Sequence, residues 1–512
     1  ITINNYIPQE NEPVYTLDLM VCGKDKNIAM IEAMAFELGE DQMGECIDKA
    51  VVERSKWEAF QDMLRKELGK EKLSFPKKET PSEVVDLFNE KIKPMLDAGA
   101  FGKESKKVLD EAWRTWKDIV DVKYEEDQEN KFVAEDYIET YINDLLHVAA
   151  LTKSMRPDMR ALDEVRGLYA KAGGISDVLH GSGIFYRGET HVLSVLTLAG
   201  PESMHTIDGI EFSAKKRFMH HYNFPPYSVG ETGRVGGINR REMGHGFLAE
   251  KALIPVLRNK ELFPYTIRVV SESVASNGST SQASICASVV AMMDGGVPIK
   301  APVAGISVGV MIDENDSTKY ALITDIQGPE DHYGDMDFKV AGTTEGVTAI
   351  QMDVKVDGVT VKVLGEALEK ARIARLSILT VMHEALAAPR ATISPRAPEI
   401  VSLTILPEQI GLVIGGGGKT IKGIKEATKV YAVGDRATVV ITRIADFGAF
   451  AKLDSFNEGL IHVSEIASFR IENVKDYLTE GQSVPVVVAK VADGKIGHSI
   501  KQVDPNFRHP RN

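Results

Sequence analysis

The segment SNGSTSQAS, residues 276–284, decides how the surrounding chain folds. It follows an alternating run, residues 265–274, that is typical of a strand. It precedes residues 283–293, an unbroken run of small and apolar side chains that is long enough for a buried helix. Asn277 and Gly278 supply the tight turn between the two. The sequence therefore predicts a strand, a tight turn and a buried helix, in that order.

Three hydroxyl side chains, those of Ser279, Thr280 and Ser281, fall on the first turn of this predicted helix. Free backbone N–H groups and the positive end of the helix dipole converge on the same point. Together these groups predict an anion site that is best suited to phosphate. The alternative interpretation is an ordinary serine-rich N-cap, in which the hydroxyl groups satisfy only the helix itself.

A second polar cluster has the sequence DHYGDMDFKV and occupies residues 331–340. From Asp335 onward the pattern alternates, so Asp335, Asp337 and Lys339 share one face of a predicted strand while the apolar side chains between them point inward. These groups, with Asp331 on the preceding loop, can hold a hard divalent cation and neutralise an adjacent phosphate. The alternative is a solvated strand face with a local ion pair.

A third cluster joins the loop HHYNFPPYSVG, residues 220–230, to the sequence RREMGHG at residues 240–246. Two prolines between aromatic residues cannot continue a helix or a central strand, so we expect a shaped loop. Arg240 and Arg241 offer planar donors that suit phosphate oxygens. His245 is a candidate source of a proton or of a hydrogen bond.

Four segments carry a family resemblance: HYNFPPYSVGETG, RREMGHG, SNGSTSQAS and DHYGDMDFKVAG. In this order they resemble the second catalytic core of the bacterial polynucleotide phosphorylases, and the resemblance runs from about Arg156 to about Arg390. That family degrades RNA from the 3′ end with inorganic phosphate and releases nucleoside diphosphates. The resemblance implies an α+β multidomain chain whose residues 149–392 form an RNase PH-like α/β core, which is ribosomal protein S5 domain 2-like.

The resemblance also assigns roles to the residues singled out above. Inorganic phosphate is expected on Ser279, Thr280 and Ser281, and magnesium or manganese is expected on Asp331 and Asp337. The expected catalytic set consists of Asp331, Asp337, Lys339, His245, Arg240 and Arg241. The implied reaction is a processive 3′-to-5′ phosphorolysis of single-stranded RNA ends, which can run backwards to polymerise nucleoside diphosphates.

Residues 1–45 predict a strand over residues 15–21, a turn at Gly23 and a helix over residues 26–38. They resemble the closing strand and helix of the family's first core, so we expect a remnant of that core here. We also expect the natural protein to carry a full first core before Tyr15.

Residues 46–148 are densely charged and carry Leu, Trp and Val at helical spacing. This region resembles the all-helical linker domain of the family. Trp57, Trp113 and Trp116 are interpreted as helix-packing residues rather than as base-stacking platforms.

Residues 393–430 resemble an incomplete KH domain. Val401, Leu403 and Ile405 alternate as a short strand, and a glycine-rich loop follows. A nucleotide-binding P-loop would need glycine where Val413 stands, so that interpretation fails. A flexible glycine linker is the alternative. In a KH domain the GXXG loop lets backbone amides approach RNA phosphates, and the residues concerned here are Gly415, Gly416, Gly417, Gly418 and the adjoining Lys419.

Residues 431–503 contain five short β-rich segments, which predict an OB-fold barrel followed by a tail at residues 504–512. The sequences DFGAF and GLIHVS resemble the S1 type of RNA-binding barrel. Phe447, Phe450 and His462 are the candidate base-stacking residues. Strict alternation places the two phenylalanines on opposite faces unless Gly448 marks a bulge.

Composition limits the remaining possibilities. A chain of 512 residues is expected to hold three or four domains. Its net charge of −14 does not exclude nucleic acid, because residues 41–150 alone hold 26 acidic against 18 basic side chains and binding depends on local positive patches. Three scattered cysteines predict a reducing, cytoplasmic location. The most apolar region, residues 283–311, is interrupted by charges, glycines and prolines, which predicts a core rather than a membrane span.

The resemblance further implies a ring-shaped homotrimer, with RNA as the main partner and with a degradation complex containing an endoribonuclease or a helicase. Two alternatives remain open at this point. A hydrolytic 3′ exoribonuclease would use the metal-binding carboxylates but would have no use for an anion site. A non-catalytic RNA-binding or RNA-chaperone protein would keep the KH and S1 modules beside an inert core.

Overall fold

The computed structural model describes residues 15–74, 79–237, 239–401, 405–427, 431–454, 457–492, 495–505 and 507. The chain divides into two compact units, one up to Ile400 and one from Val401 onward. Among the described residues, no helix combines the length and the apolar character that crossing a membrane requires.

The first unit contains strands that belong to two main sheets and one small hairpin. In chain order its strands are β1 (Leu17–Lys24), β2 (Asn27–Leu38), β3 (Leu168–Ala172), β4 (Gly181–Arg187), β5 (Thr190–Ala199), β6 (His205–Asp208), β7 (Ser213–Lys216), β8 (Phe218–Asn223), β9 (Thr266–Ala275), β10 (Ala304–Asp313), β11 (Asp316–Thr324), β12 (Met336–Gly342), β13 (Val347–Val354) and β14 (Val359–Thr360).

The helices of the first unit fall into an N-terminal group and a group that covers the sheets. They are α1 (Glu40–Leu68), α2 (Ser82–Lys91), α3 (Lys93–Gly99), α4 (Ser105–Lys123), α5 (Gln128–Lys153), α6 (Arg240–Leu253), α7 (Thr280–Asp294), α8 (Gly328–Tyr333) and α9 (Val361–Ala385).

Helix α7 lies between the two main sheets. One sheet has the strand order β1-β2-β13-β12-β10-β11, with β14 paired to β2, and the other has the order β3-β4-β5-β9-β8. Helix α7 contacts β4, β5 and β9 of one sheet and β10 and β12 of the other. Its residues from Thr280 to Met293 are all buried. The predicted strand, turn and buried helix are therefore confirmed as β9, the turn at residues 276–279 and α7.

Close contact between α7 and β4 depends on glycine. A Cβ atom on Gly183 would lie 2.3 Å from the carbonyl oxygen of Ala287, and one on Gly181 would lie 2.5 Å from that of Ala291. Any larger residue at these two positions would push the helix away from the sheet, because real Cβ atoms do not approach so closely.

The prediction of a helix over residues 26–38 is wrong. These residues form β2, which turns back on β1 and also pairs with β13 of the main sheet. The buried side chains Ile31, Ala33 and Ala35 alternate along β2, as a strand requires. A short apolar run is compatible with either a helix or a strand. Here pairing with the main sheet makes it a strand. The predicted remnant of a first core thus lies within the same sheet as the catalytic core.

The described part of residues 46–148 is helical, as predicted. Helices α2 to α5 form a core of their own that includes Phe88, Trp116 and Ile138, whereas Met43 and Ile47 of α1 belong to the core of the main sheets. Trp116 is fully buried, which confirms its packing role. Trp57 is 55% exposed, so the same prediction is wrong for that residue, because the second half of α1 projects away from the core.

The second unit contains a short helical segment and a barrel. Helices α10 (Ile410–Ile414) and α11 (Lys419–Ala427) flank the glycine loop, while the strand predicted through Leu403 lies mostly outside the described residues. Five strands then close a barrel in the order β15-β16-β17-β19-β18, which confirms the OB-type prediction. They are β15 (Arg436–Ala445), β16 (Gly448–Lys452), β17 (Glu458–His462), β18 (Ser483–Ala492) and β19 (Lys495–Ser499).

The interior of the barrel contains a histidine without a partner. His498 is fully buried, and neither of its ring nitrogens has a hydrogen-bond partner among the described residues. A Cβ atom on Gly459 would lie 2.2 Å from Nε2 of His498, so glycine makes room for the ring. Burial disfavours the charged imidazolium and lowers the pKa of His498 to about 4.

The stability of the barrel should therefore fall in mild acid. The unfolded chain takes up a proton near pH 6.5, but the folded barrel does not until about pH 4, so stability is lost as the pH falls through this interval. The expected loss is about 3 kcal/mol. Hydrogen exchange of barrel peptides, corrected for intrinsic rates, measures it. The control His498→Leu should remove most of the pH dependence, and an equal dependence in both proteins would contradict the assignment.

Candidate active site

The anion turn, residues 276–281, begins helix α7. Ser279 is the N-cap and has φ +53° and ψ +38°, a left-handed conformation that is uncommon outside glycine and that often marks a functional site. The hydroxyl oxygens of Ser279 and Ser281 are buried and have no hydrogen-bond partner among the described residues. The hydroxyl of Thr280 lies 2.5 Å from that of Ser276. The N-cap alternative predicts a serine oxygen bonded to the helix, but no side-chain cap bond forms here.

Two carboxylates, those of Asp331 and Asp337, lie close enough for their charges to interact. Oδ2 of Asp337 lies 2.5 Å from Nζ of Lys339, and its Oδ1 is buried without a partner among the described residues. Burial and then the charge of nearby Asp337 raise the pKa of Asp331 above its usual value. Opposing positive charges come from Lys339, Lys355 and Arg241. The structure therefore brings Asp331, Asp337 and Lys339 together, as the sequence predicted.

Helix α6 contributes His245 and Arg241 to the same cleft. Burial, and then the positive charges of Lys339 and Arg241, lower the pKa of His245 to about 3. The ring is consequently neutral at pH 7, and its buried Nδ1 has no partner within the described chain. The guanidinium of Arg241 lies 5.8 Å from the centre of the Phe224 ring. Arg240, the first residue of α6, is exposed and forms no ion pair with the carboxylates in the part of the chain that the structure describes.

The candidate RNA-binding residues of the second unit lie on two surfaces. Gly415, Gly417 and Gly418 have positive φ angles of 72°, 61° and 78°, which glycine adopts at little cost, and they form the loop between α10 and α11. Lys419 is exposed at the start of α11.

On the barrel, the rings of Phe447 and Phe450 lie 6.2 Å apart, edge to face. The expectation that strict alternation places these two rings on opposite faces does not apply. Strand β16 begins at Gly448, so Phe447 lies outside it. The guanidinium of Arg443 lies 4.3 Å from the centre of the Phe450 ring. His462 is exposed and pairs with Gly448 across the strands. The surface thus combines stacking rings with a positive charge, as single-stranded nucleic acid requires.

Comparison with known proteins shows which family profiles and which relatives this chain matches. The profile described as the 3′ exoribonuclease family, domain 1, matches residues 164–298, and that of the S1 RNA binding domain matches residues 430–501. A polyribonucleotide nucleotidyltransferase from Streptococcus mutans is 42% identical over 98% of this chain and 73% of its own length. One from Streptococcus agalactiae is also 42% identical, over 98% of this chain and 76% of its own length.

The chain belongs to the polyribonucleotide nucleotidyltransferase family. The predictions of an RNA-binding enzyme of this family, with an RNase PH-like core and an S1 barrel, are thereby confirmed. Among solved structures, an Archaeoglobus fulgidus exosome with RNA bound to the active site covers 47% of this chain and 98% of its own. Its sequence identity to this chain is 16% and its TM-score is 0.39.

The fold of this family member places Asp335 differently from the prediction. Asp335 precedes β12, and its Oδ2 accepts a hydrogen bond from the backbone N–H of Ile312 (2.7 Å). The same oxygen lies 3.0 Å from Nε2 of His147 in α5. Asp335 therefore joins the helical region to the start of β12. Because its carboxylate already has these two partners, it does not extend the set formed by Asp337 and Lys339.

Sequence reasoning missed the buried carboxylate that fixes the anion turn. Asp325 is fully buried and forms ion pairs with Arg166 (2.7 Å) and Arg187 (2.8 Å). Burial alone would raise its pKa, but the charges of these two arginines outweigh burial and hold the pKa well below its usual range. The two arginines also donate to the carbonyl oxygens of Asn277 (2.5 Å) and Ser279 (2.7 Å). No local pattern could have revealed this, because Asp325 lies 159 residues from Arg166.

Removing the charge of Asp325 should destabilise the core strongly. In Asp325→Asn the buried arginines lose their counter-charge, so the free energy of unfolding should fall by about 3–5 kcal/mol. Urea denaturation measures the change. The control Asp357→Asn alters an exposed carboxylate and should stay within about 0.5 kcal/mol of the parent protein. A loss below about 1 kcal/mol in Asp325→Asn would show that the arginines are satisfied without it.

Proposed function

We propose that this chain degrades RNA processively from the 3′ end by phosphorolysis and releases nucleoside 5′-diphosphates. The observation that carries the proposal is the pair of serine hydroxyls without a partner among the described residues at the start of buried helix α7. The turn that holds them also binds the helix of Asp331, because Asn277 Oδ1 accepts a hydrogen bond from the backbone N–H of Gly328 (3.0 Å). A hydrolytic enzyme would need the carboxylates but not the anion turn. Membership of the nucleotidyltransferase family supports the same reaction.

In the proposed reaction, inorganic phosphate binds at Ser279, Thr280 and Ser281, where the helix dipole and the first-turn amides stabilise its charge. One of its oxygens attacks the last phosphodiester in line and forms a new bond to phosphorus. The bond to the 3′ oxygen of the penultimate nucleotide breaks, and that oxygen takes up the proton that the attacking hydrogen phosphate ion gives up. A nucleoside diphosphate leaves, and the RNA is one nucleotide shorter.

The side chains of the cleft mainly position groups and spread charge, so no covalent intermediate is needed. Arg241 and Lys339 neutralise the phosphates, and Arg240 completes the set if its exposed side chain folds onto the RNA end. Neutral His245 is able to accept or donate a hydrogen bond at the leaving oxygen. Because one phosphoryl linkage replaces another, the same groups support polymerisation of nucleoside diphosphates.

A divalent ion fits the two carboxylates. Among the described residues no group of three or more metal-ligating side chains occurs, but magnesium is commonly held by one or two carboxylates together with substrate phosphates. Asp337 has a free buried oxygen, and Asp331 lies close enough for their charges to interact. We therefore assign magnesium or manganese to Asp331 and Asp337, where the ion would neutralise charge on the phosphates.

The second unit is proposed to bind RNA. The backbone of Gly415, Gly416, Gly417 and Gly418, with Lys419, is assigned to RNA phosphates, and the barrel residues Phe447, Phe450 and His462 are assigned to stacked bases. A homotrimer, a cytoplasmic location and a complex with an endoribonuclease or a helicase are proposed from the family resemblance alone.

The nature of the products distinguishes phosphorolysis from hydrolysis. Labelled single-stranded RNA incubated with the protein and magnesium should be shortened only when phosphate is added, because phosphate is the attacking group. The released nucleotides, separated by chromatography, should be 5′-diphosphates. Release of monophosphates at the same rate without phosphate would refute the proposal, and no shortening in either case would favour an RNA-binding protein.

Asp337 should be essential for turnover but not for RNA binding. Asp337→Asn keeps the shape of the side chain and removes its charge, so kcat should fall by about 100-fold or more, the scale of losing a preorganised charged group. RNA affinity, measured by filter binding, should persist because separate modules carry it. The control Glu314→Gln changes an exposed carboxylate and should leave both quantities unchanged. Normal turnover in Asp337→Asn would place the metal elsewhere.

A further inference from the structure

Tyr222 has a buried hydroxyl that the reaction described above does not use. Its side chain lies on β8 and is only 4% exposed. The hydroxyl is close to those of Ser273 and Thr280, yet it makes no hydrogen bond of normal geometry to any described residue. A buried hydroxyl without a partner is costly and rare in native proteins. Two partners are open to it: the Ser273 hydroxyl, which is also buried without a partner among the described residues, and a ligand at the anion turn beside Thr280.

The surroundings of Tyr222 place it beside two groups of the candidate active site. The hydroxyl is close to Thr280 of the anion turn, and the residue lies near Arg241 and His245 of helix α6. The ring centres of Tyr222 and His245 are 5.4 Å apart. Tyr222 thus stands between the anion turn and the arginine-bearing helix, two clusters that the sequence suggested separately.

Several other buried polar atoms in the same cleft also lack partners among the described residues. They are the hydroxyl oxygens of Ser279 and Ser281, Nδ1 of His245 and Oδ1 of Asp337. A folded chain satisfies most of its buried polar atoms. An anion bound at the turn would give the two serine hydroxyls, and Tyr222 beside Thr280, the partners that they lack.

The chemistry of the phenol suits an anionic ligand. Burial raises the pKa of Tyr222 well above its usual range, so the group keeps its proton and brings no negative charge to the cleft. Thr280 is already engaged with Ser276, which leaves the phenol as an additional neutral donor beside the turn. We propose that Tyr222 donates its hydroxyl hydrogen to the inorganic phosphate bound at the anion turn, an inference that rests on the proposed phosphorolysis.

The substitution Tyr222→Phe tests this role cleanly. The ring is held by Phe224, stacked at 6.0 Å, and by His245, so it should stay in place when the hydroxyl is removed. Losing one hydrogen bond to a charged ligand should raise the KM for phosphate by about tenfold to a hundredfold. The KM for RNA should not change. The control Tyr169→Phe removes a hydroxyl from a 47% exposed tyrosine of β3 and should match the parent protein.

A measurement without turnover separates phosphate binding from catalysis and from folding. Isothermal titration with inorganic phosphate should show the same loss of affinity in Tyr222→Phe. The melting temperature without phosphate should be equal or higher, because an unsatisfied hydroxyl has been removed, and phosphate should raise it less than in the parent protein. If Tyr222 only supports the fold through Ser273 or Thr280, the melting temperature falls and the affinity for phosphate persists, which would overturn the inference.

Assays of the parent protein under the same conditions distinguish a failure of the Tyr222 proposal from a failure of the phosphorolysis proposal. If the parent shortens RNA only with phosphate and Tyr222→Phe has an unchanged KM and affinity for phosphate, the role of Tyr222 is refuted and phosphorolysis stands. If the parent shortens RNA without phosphate and binds none, phosphorolysis itself fails and the assigned role of Tyr222 fails with it.

Discussion

The buried ion pairs of Asp325 support the whole catalytic region. Arg166 and Arg187 bind this carboxylate and at the same time hold the backbone of the anion turn. Three residues further along, helix α8 begins, and there Glu330 pairs with fully buried Arg156 at 2.6 Å. Buried ion pairs often add little net stability compared with apolar packing, but breaking one is costly. Their contribution here is to fix position, since they join the anion turn to the helix that carries Asp331.

The helical region is also part of this arrangement, because α5 contacts the segment between Asp331 and Asp337. Glu139 lies 3.1 Å from Nε2 of His332, next to Asp331, and accepts a hydrogen bond from Trp113. Further along, His147 lies against Asp335 and also 2.8 Å from the carbonyl oxygen of Asn143. Both partners of His147 present acceptor oxygens, which favours the protonated ring. Burial alone would lower its pKa, but Asp335 outweighs burial and raises it. The helical region that resembles a linker domain in sequence therefore also supports the segment that leads into β12.

Much of the secondary structure could be predicted from local pattern. The turn at Asn277 and Gly278, the alternation around Phe338 and the five strands of the barrel all follow from short-range rules of periodicity and turn chemistry. The predictions failed where contacts with distant parts of the chain determine the local structure or the burial of a side chain. Residues 26–38 became a strand because β13 offers an edge to pair with, and Trp57 is exposed because α1 extends beyond the core. Neither β13 nor the limit of the core is visible from the local sequence.

By itself the sequence determined the family, the order of the domains that resemble it and the types of side chain in the cleft, because motifs and periodicities are properties of neighbouring residues. Only the tertiary structure decided which of those side chains meet. It placed Asp331, Asp337, Lys339 and His245 together, turned Asp335 towards α5, and added Asp325 and Tyr222, which no motif had singled out for a role. The physical reason is that burial and charge act through space, between residues that are separated by up to hundreds of positions along the chain.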